Sequence, residues 1–146
     1  MGDEQSIIIG SDHAAFELKE KIKKFLSDYG LAVIDIGTSS DASVNYVDFG
    51  KKVAKAISQQ EFKRGILLCG TGLGMSMTAN RFPNVRAALC SDIFSARMSR
   101  LHNDSNILVL GGRIIGDILA FEIVRTWLET PFEGGRHLQR IQTIDQ

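Results

Sequence analysis

Cysteine and proline are scarce in this sequence, which has two of each among its 146 residues. Two cysteines cannot provide the disulfide framework that stabilises many small secreted domains, so the fold must depend on a hydrophobic core. Hydrophobic residues make up 44% of the chain, and this share predicts one domain spanning residues 1–146.

Net charge and long apolar runs are also missing. Lysine plus arginine and aspartate plus glutamate both number 17, so no overall field attracts nucleic acid or an anionic membrane. No stretch approaches the roughly 18 apolar residues of a membrane span, and the first ten residues contain two acids but no basic residue, unlike a secretory signal. The expected location is the cytoplasm, and any anion site must be built locally.

Short apolar runs alternate with segments of helical spacing along the chain. Residues 7–9 are isoleucines that end at Gly10, and apolar residues then recur at helical spacing until Gly30. The same alternation predicts strands at 32–36, 65–69, 85–90 and 107–110, and helices at about 47–58, 73–81, 92–101 and 117–128. Five apolar strands joined by helices predict a five-stranded parallel sheet covered on both faces, a three-layer αβα sandwich of the Rossmann-like α/β class.

Polar residues at the carboxyl ends of these strands are the first candidates for function, because ligands bind there in such sheets. The first strand ends in Gly10-Ser11-Asp12-His13, where Asp12 could simply cap the next helix. Capping does not explain His13, whose imidazole could donate to a hydroxyl or phosphate. The fifth strand ends in Gly111-Gly112-Arg113, and this arginine either binds phosphate or pairs with a carboxylate.

The third strand leads into the most informative segment, Cys69-Gly70-Thr71-Gly72-Leu73-Gly74. Its three glycines allow backbone N–H groups to approach a ligand closely, and the start of the following helix favours negative charge. A nearby helix N-terminus also activates a cysteine as a base or nucleophile, so Cys69 is the candidate catalytic thiol. Inert burial is the alternative interpretation, and it is the one expected for Cys90.

The glycine segment has a rival interpretation as a dinucleotide-binding loop, because Asp92 lies 22 residues after Gly70. However, the third glycine falls one place early, and Met75 stands where that fingerprint requires a small residue. Nicotinamide chemistry is therefore the weaker alternative, and no Gly-Lys-Ser/Thr follows for a Walker-type loop. The cysteines and histidines show neither C-x-x-C nor H-x-x-x-H spacing, so neither a metal nor a cofactor is predicted.

A second group of candidate residues is expected at the far edge of the sheet. His102 and Asn103 end the helix that begins near residue 92, which at 1.5 Å per residue places them on the order of 15 Å from Cys69 in the same subunit. The tail should reach the same edge, with Arg136 and Arg140 aligned by their spacing of four. Either this group is a solvated basic surface, or it serves the site of a neighbouring subunit.

Collectively these residues resemble the family of ribose-5-phosphate isomerase B and galactose-6-phosphate isomerase. The resemblance rests on the order and spacing of GSDHAAFELKE, CGTGLGMSMTANRFPNVRAAL and RLHNDSNILVLGGRIIG, followed by the arginine-bearing tail. It implies an aldose-ketose isomerase for sugar phosphates, active as a homodimer or tetramer with sites formed between subunits. Ribose 5-phosphate is the expected substrate. Galactose 6-phosphate and allose 6-phosphate are the alternatives, and a non-catalytic protein that binds phosphorylated ligands or nucleotides is a distant one.

The same resemblance implies a role for each candidate residue. It makes Cys69 the general base, assisted by Thr71, and it assigns the opening of the sugar ring to His102. Some relatives carry a glutamate base within the loop, but here Met75 is present beside Cys69, which indicates the cysteine variant. Contacts with the substrate, its intermediate or its phosphate are implied for Asp12, His13, Gly70, Gly72, Leu73, Gly74, Asn103, Arg113, Arg136 and Arg140.

Overall fold

The centre of the protein is a five-stranded parallel sheet, seen in a computed structural model that describes residues 5–146. The strands lie in the order β2-β1-β3-β5-β4, and every neighbouring pair is parallel. The expected α/β sandwich is thereby confirmed. The strands are β1 (Ser6–Ser11), β2 (Ala32–Asp35), β3 (Gly65–Cys69), β4 (Ala87–Leu89) and β5 (Ile107–Gly111).

Six α-helices connect or follow these strands within the described residues. They are α1 (Phe16–Asp28), α2 (Tyr46–Ser58), α3 (Leu73–Ala79), α4 (Ile93–Leu101), α5 (Asp117–Glu129) and α6 (Arg136–Ile144). A short 3-10 turn precedes α1, and the tail of the chain is helical. Between residues 5 and 146, none of the helices has the length and apolar character needed to cross a membrane.

The boundaries that differ from the sequence pattern include those that flank β4. The strand predicted at 85–90 is confined to Ala87–Leu89, and α3 ends at Ala79 instead of residue 81. The cause is Asn80, whose side chain donates to the Ser76 carbonyl (3.1 Å) and exchanges two hydrogen bonds with the backbone of Ala87 (2.8 and 3.0 Å). This amide ends α3 and pairs with the outer edge of β4 as a neighbouring strand would.

Both faces of the sheet are apolar, and helices cover each of them. Ile7 and Ile9 of β1 pack on one face with residues of α1, α4 and α5, including Trp127. Ile8 points to the opposite face, where α2 and α3 pack and Met75 is fully buried. Because burial of each such side chain contributes about 1.5–3 kcal/mol, this alternation fixes the side of the sheet on which each helix lies.

The direction in which the helices leave the sheet reverses at β3. The helices α1 and α5, which follow the neighbouring strands β1 and β5, lie on one face, whereas α3, which follows β3 itself, lies on the other. The loops after these three strands therefore diverge and leave a crevice at the carboxyl end of β3. Cys69 is the last residue of that strand.

A buried lysine anchors the loop between β2 and α2, which runs beside this crevice. Lys19 of α1 is fully buried, and its ammonium group donates to Asp35 (2.5 Å) and to the carbonyl of Thr38 (2.7 Å). Asp35 also accepts from Lys23 (2.8 Å) and from the N–H of Gly37 (2.9 Å). Burial opposes ionisation of Asp35, but the bonds from the two lysines outweigh it and hold the pKa of this carboxyl below its ordinary value.

Replacing Lys19 by methionine is expected to lower the free energy of unfolding by about 1–3 kcal/mol, since the buried Thr38 carbonyl loses its donor. The difference in free energy of unfolding between the wild type and this variant should shrink as pH falls below 3.8, the ordinary pKa of Asp35. Above that pH the depressed pKa contributes to stability, and protonation of Asp35 removes this contribution. Urea unfolding measured at several pH values tests both expectations.

The matched control is Lys24→Met, because Lys24 forms an exposed pair with Asp28 at 2.7 Å. An exposed pair of this kind contributes about 0.5 kcal/mol or less. Equal losses in the two variants would contradict the anchoring role of Lys19.

Candidate active site

Cys69 lies at the base of the crevice, beside Gly111 of β5. It is 5% exposed, and its Sγ accepts a hydrogen bond from the N–H of Gly72 (3.2 Å). A donor at this position stabilises negative charge on the sulfur. Gly72 has a φ of +82°, and a Cβ there would lie 2.4 Å from Cδ1 of Leu89, so glycine is required for the loop to turn back to the thiol.

The rest of the glycine loop lies around this thiol. The N–H of Leu73 donates to Thr71 Oγ1 (3.3 Å), and both residues are exposed. Arg113 lies against Gly70, because its N–H donates to the Gly70 carbonyl (2.9 Å) and a Cβ on Gly70 would lie 3.4 Å from Arg113 Cδ. The structure therefore brings together Cys69, the predicted loop residues and Arg113.

Tyr46, which the sequence pattern did not mark as a candidate, forms one wall of the loop. It is the first residue of α2, and a Cβ on Gly74 would lie only 2.5 Å from Cε2 and Cζ of its ring. The next residue, Met75 of α3, is fully buried and packs close to Gly50 of α2. A buried methionine occupies the place where a dinucleotide fingerprint needs a small residue, which again disfavours that alternative.

Asp12 and His13 follow β1 on the adjacent side of the crevice. Asp12 is buried, and its carboxylate accepts from the N–H of Ala14 (3.0 Å), so it does cap the 3-10 turn. Its own N–H donates to the Leu68 carbonyl (3.2 Å), which places it next to the end of β3. Nδ1 of His13 accepts from the N–H of Val44 (3.1 Å). The neutral ring therefore carries its hydrogen on Nε2, where it can donate to a ligand.

The far group of predicted residues does not join Cys69 within one chain. His102 and Asn103 follow α4, whose nine residues run away from the carboxyl edge of the sheet over about 13 Å. Arg136 and Arg140 lie exposed on the first turns of α6, four residues apart. The helix bounds thus agree with those from which the separation was expected.

His102 contacts a histidine that sequence analysis did not assign to the site. The rings of His102 and His137 stack with their centroids 4.3 Å apart and their planes at 14°. Oε2 of Glu133 lies 3.8 Å from Nε2 of His102 and 3.6 Å from Nε2 of His137. The side-chain atoms of His102, Glu133 and His137 that are able to bind a metal ion lie within 4.8 Å of one another. Because the two rings are nearly parallel, however, their lone pairs do not converge as tetrahedral zinc coordination requires.

Cys90 contrasts with Cys69 in its surroundings. It is 2% exposed in the core on the face that α4 covers. Burial raises the pKa of the Cys90 thiol to about 11, so this group stays protonated near neutral pH. The chain thus has one thiol placed for chemistry and one placed for packing.

A cavity of about 700 Å³ lies away from this crevice, at the amino edge of the sheet. Its arginines hold the fold together, because Arg64, Arg86 and Arg100 donate to the carbonyls of Leu128, Asp104 and Thr130, respectively. The candidate site is instead the open crevice at the carboxyl edge, where the groups suited to chemistry converge.

Comparison with known proteins identifies the family. Residues 7–144 match the model of the Ribose/Galactose Isomerase family. Ribose-5-phosphate isomerase B of Escherichia coli strain K12 is 45% identical over 140 residues, which cover 96% of this chain and 94% of that protein. The crystal structure of ribose 5-phosphate isomerase from Thermotoga maritima matches with a TM-score of 0.93 at 58% identity, covering 96% of this chain and 97% of that one. The structure of ribose-5-phosphate isomerase B from Mycoplasma genitalium with bound ribulose-5-phosphate matches with a TM-score of 0.92 at 38% identity. The match covers 96% of this chain and 93% of that one. The chain therefore belongs to the Ribose/Galactose Isomerase family.

Proposed function

We propose that this protein is a cytoplasmic isomerase that interconverts ribose 5-phosphate and ribulose 5-phosphate, with Cys69 as the base. The observation that carries the proposal is the buried thiol at the end of β3, with the N–H of Gly72 directed at its sulfur. Membership of the family and the names of the relatives support this reaction. Two free cysteines are in keeping with a reducing compartment.

The reaction moves one carbon-bound hydrogen between adjacent carbons of an open-chain sugar. In the proposed mechanism the Cys69 thiolate takes the proton from C2, and the electrons of that bond form an enediolate whose charge develops on O1. The proton on O2 moves to O1, and return of the proton from the Cys69 thiol to C1 then forms the C2=O2 carbonyl of the ketose. Backbone N–H groups of the Gly70–Gly74 segment other than those already bonded to Cys69 and Thr71 stabilise the oxyanion. The exposed Thr71 hydroxyl assists transfer of the proton between the two oxygens.

Residues of the same chain supply part of the substrate contact in this proposal. The Nε2–H of His13 faces a hydroxyl or the phosphate, since Val44 already occupies Nδ1. Arg113, exposed against Gly70, offers a guanidinium group to the phosphate. Asp12, whose carboxylate caps the 3-10 turn, is the expected contact for a sugar hydroxyl.

The second half of the site is proposed to come from another copy of the chain. His102, Asn103, Arg136 and Arg140 of that copy would reach the crevice that they cannot reach in their own subunit. Burial of apolar side chains against a second copy would favour such an assembly. Six large apolar residues are more than half exposed between residues 5 and 146, on α3, on α4, after β5, on α5 and on α6: Leu73, Met77, Phe94, Ile114, Ile118 and Ile144. A homodimer is the smallest assembly that completes the site, and a tetramer can be built from two such dimers.

Replacing Cys69 by alanine is expected to lower kcat for ribose 5-phosphate by at least about 100-fold, because the variant lacks the base. The wild-type rate should persist in EDTA. Cys90→Ala is the matched control and should keep its activity, since the Cys90 thiol is buried and protonated. Full activity of Cys69→Ala would refute the thiol mechanism. An inactive wild type would direct the assay to galactose and allose 6-phosphates and then to ligand binding without turnover.

Mixing Cys69→Ala and His102→Asn chains tests whether two subunits share a site. In a mixed dimer one site carries both substitutions and the other carries neither, so random pairing should restore about a quarter of wild-type activity. The measurement is the activity after co-refolding, compared with each variant refolded alone. If each site belonged to one chain, no restoration would occur.

A further inference from the structure

His137, which stacks on His102, is a buried titratable residue that the proposed chemistry does not use. His137 is 5% exposed, and within residues 5–146 its Nε2 has no hydrogen-bond partner. The side chain of His102 is 42% exposed, so one ring is fixed in the protein and the other reaches the surface. A buried polar atom without a partner is costly, and its retention calls for an explanation.

The backbone around this pair is held in place from two sides. The N–H of Glu133 donates to the Leu101 carbonyl at the end of α4 (3.0 Å). Arg100, which is 7% exposed, donates to the Thr130 carbonyl (3.2 Å) and to the Ser105 carbonyl (2.6 Å). These bonds tie the segment before α6 to the end of α4, and they therefore fix the flat face of His137 against the ring of His102.

The charges around the pair differ for its two rings. His137 faces His102 from α4, Glu133 from the preceding segment, and Arg136 and Arg140 from its own helix. Burial, and then the nearby cations His102 and Arg136, lower the pKa of His137, so its ring is neutral near pH 7. The inner ring of the stack is therefore uncharged there, and the Glu133 carboxylate lies beside both rings.

We propose that His137, together with Glu133, is a positioning unit that holds the His102 imidazole in the orientation needed to open the furanose ring in the partner's site. This inference rests on the proposed function. In ring opening the C1–O4 bond breaks as His102 donates a proton to O4, and the proton of the C1 hydroxyl passes to water. The exposed His102 ring regains its proton from water, so no net proton is consumed. His137 does not touch the sugar and acts only through His102.

The test separates ring opening from isomerisation by varying the enzyme concentration. Wild-type conversion of ribose 5-phosphate should rise in proportion to enzyme. An enzyme that cannot open the ring must wait for spontaneous opening, so its rate should reach a ceiling that further enzyme does not raise. His137→Ala and Glu133→Gln are both expected to show the ceiling seen with His102→Asn. At enzyme concentrations too low to reach that ceiling, His137→Ala should convert substrate more slowly than the wild type by on the order of 10-fold or more.

Three comparisons distinguish positioning from a general structural defect. His137→Phe retains a flat buried ring and should restore most of the activity that His137→Ala loses. The double variant His102→Asn/His137→Ala should be no slower than His102→Asn alone, because a positioning residue has no effect once its target is gone. Glu122→Gln, a surface control whose carboxylate pairs with Arg125, should behave as the wild type does.

The inference is overturned if the rates of His137→Ala and Glu133→Gln remain proportional to enzyme concentration, whatever their slope. It is also overturned if the effects of His102→Asn and His137→Ala add in the double variant. Glu133 has a 56% exposed side chain, so its variant keeps the test valid if the alanine variant does not fold. An inactive wild type would instead refute the proposed function.

Discussion

The reversal of helix direction at β3 is the constraint on which the rest of the molecule depends. Because α3 leaves on the opposite face from α1 and α5, three loops separate at one point of the carboxyl edge. Cys69 ends the strand at that point, and the glycine loop turns back so that the Gly72 N–H meets its sulfur. The position of the Cys69 thiol, the backbone donor directed at it and the crevice above it are thus consequences of one topological feature.

The crevice is kept in shape by contacts that lie one layer below it. Lys19 and Asp35 anchor the loop that carries Val44, and the N–H of Val44 in turn orients His13. Tyr46, at the end of the same loop, lies against Gly74. The ion pair between buried Lys19 and partly exposed Asp35 therefore supports two side chains of the site.

The helix α4 divides the chemistry between two regions of the chain. It begins beside the carboxyl edge and ends in His102, about 13 Å away at 1.5 Å per residue. In one chain the proposed base, Cys69, is thus separated from the histidine pair that is proposed to act in ring opening. Exposed apolar side chains such as Phe94 and Ile118 favour a second copy that brings the two together. The proposed enzyme is therefore one in which assembly completes the site.

The sequence by itself determined the alternation of strands and helices, because apolar spacing reflects which side chains must leave water. It also located Cys69 and Arg113 at one edge, since all strands of a parallel sheet end on the same side. Family resemblance supplied roles for these residues, and the match over residues 7–144 confirmed the family. Only the tertiary structure decided the strand order, the contact of Tyr46 with Gly74, and the stack of His102 on His137. These features join segments far apart in the chain, and a contact of that kind leaves no periodic pattern in either segment.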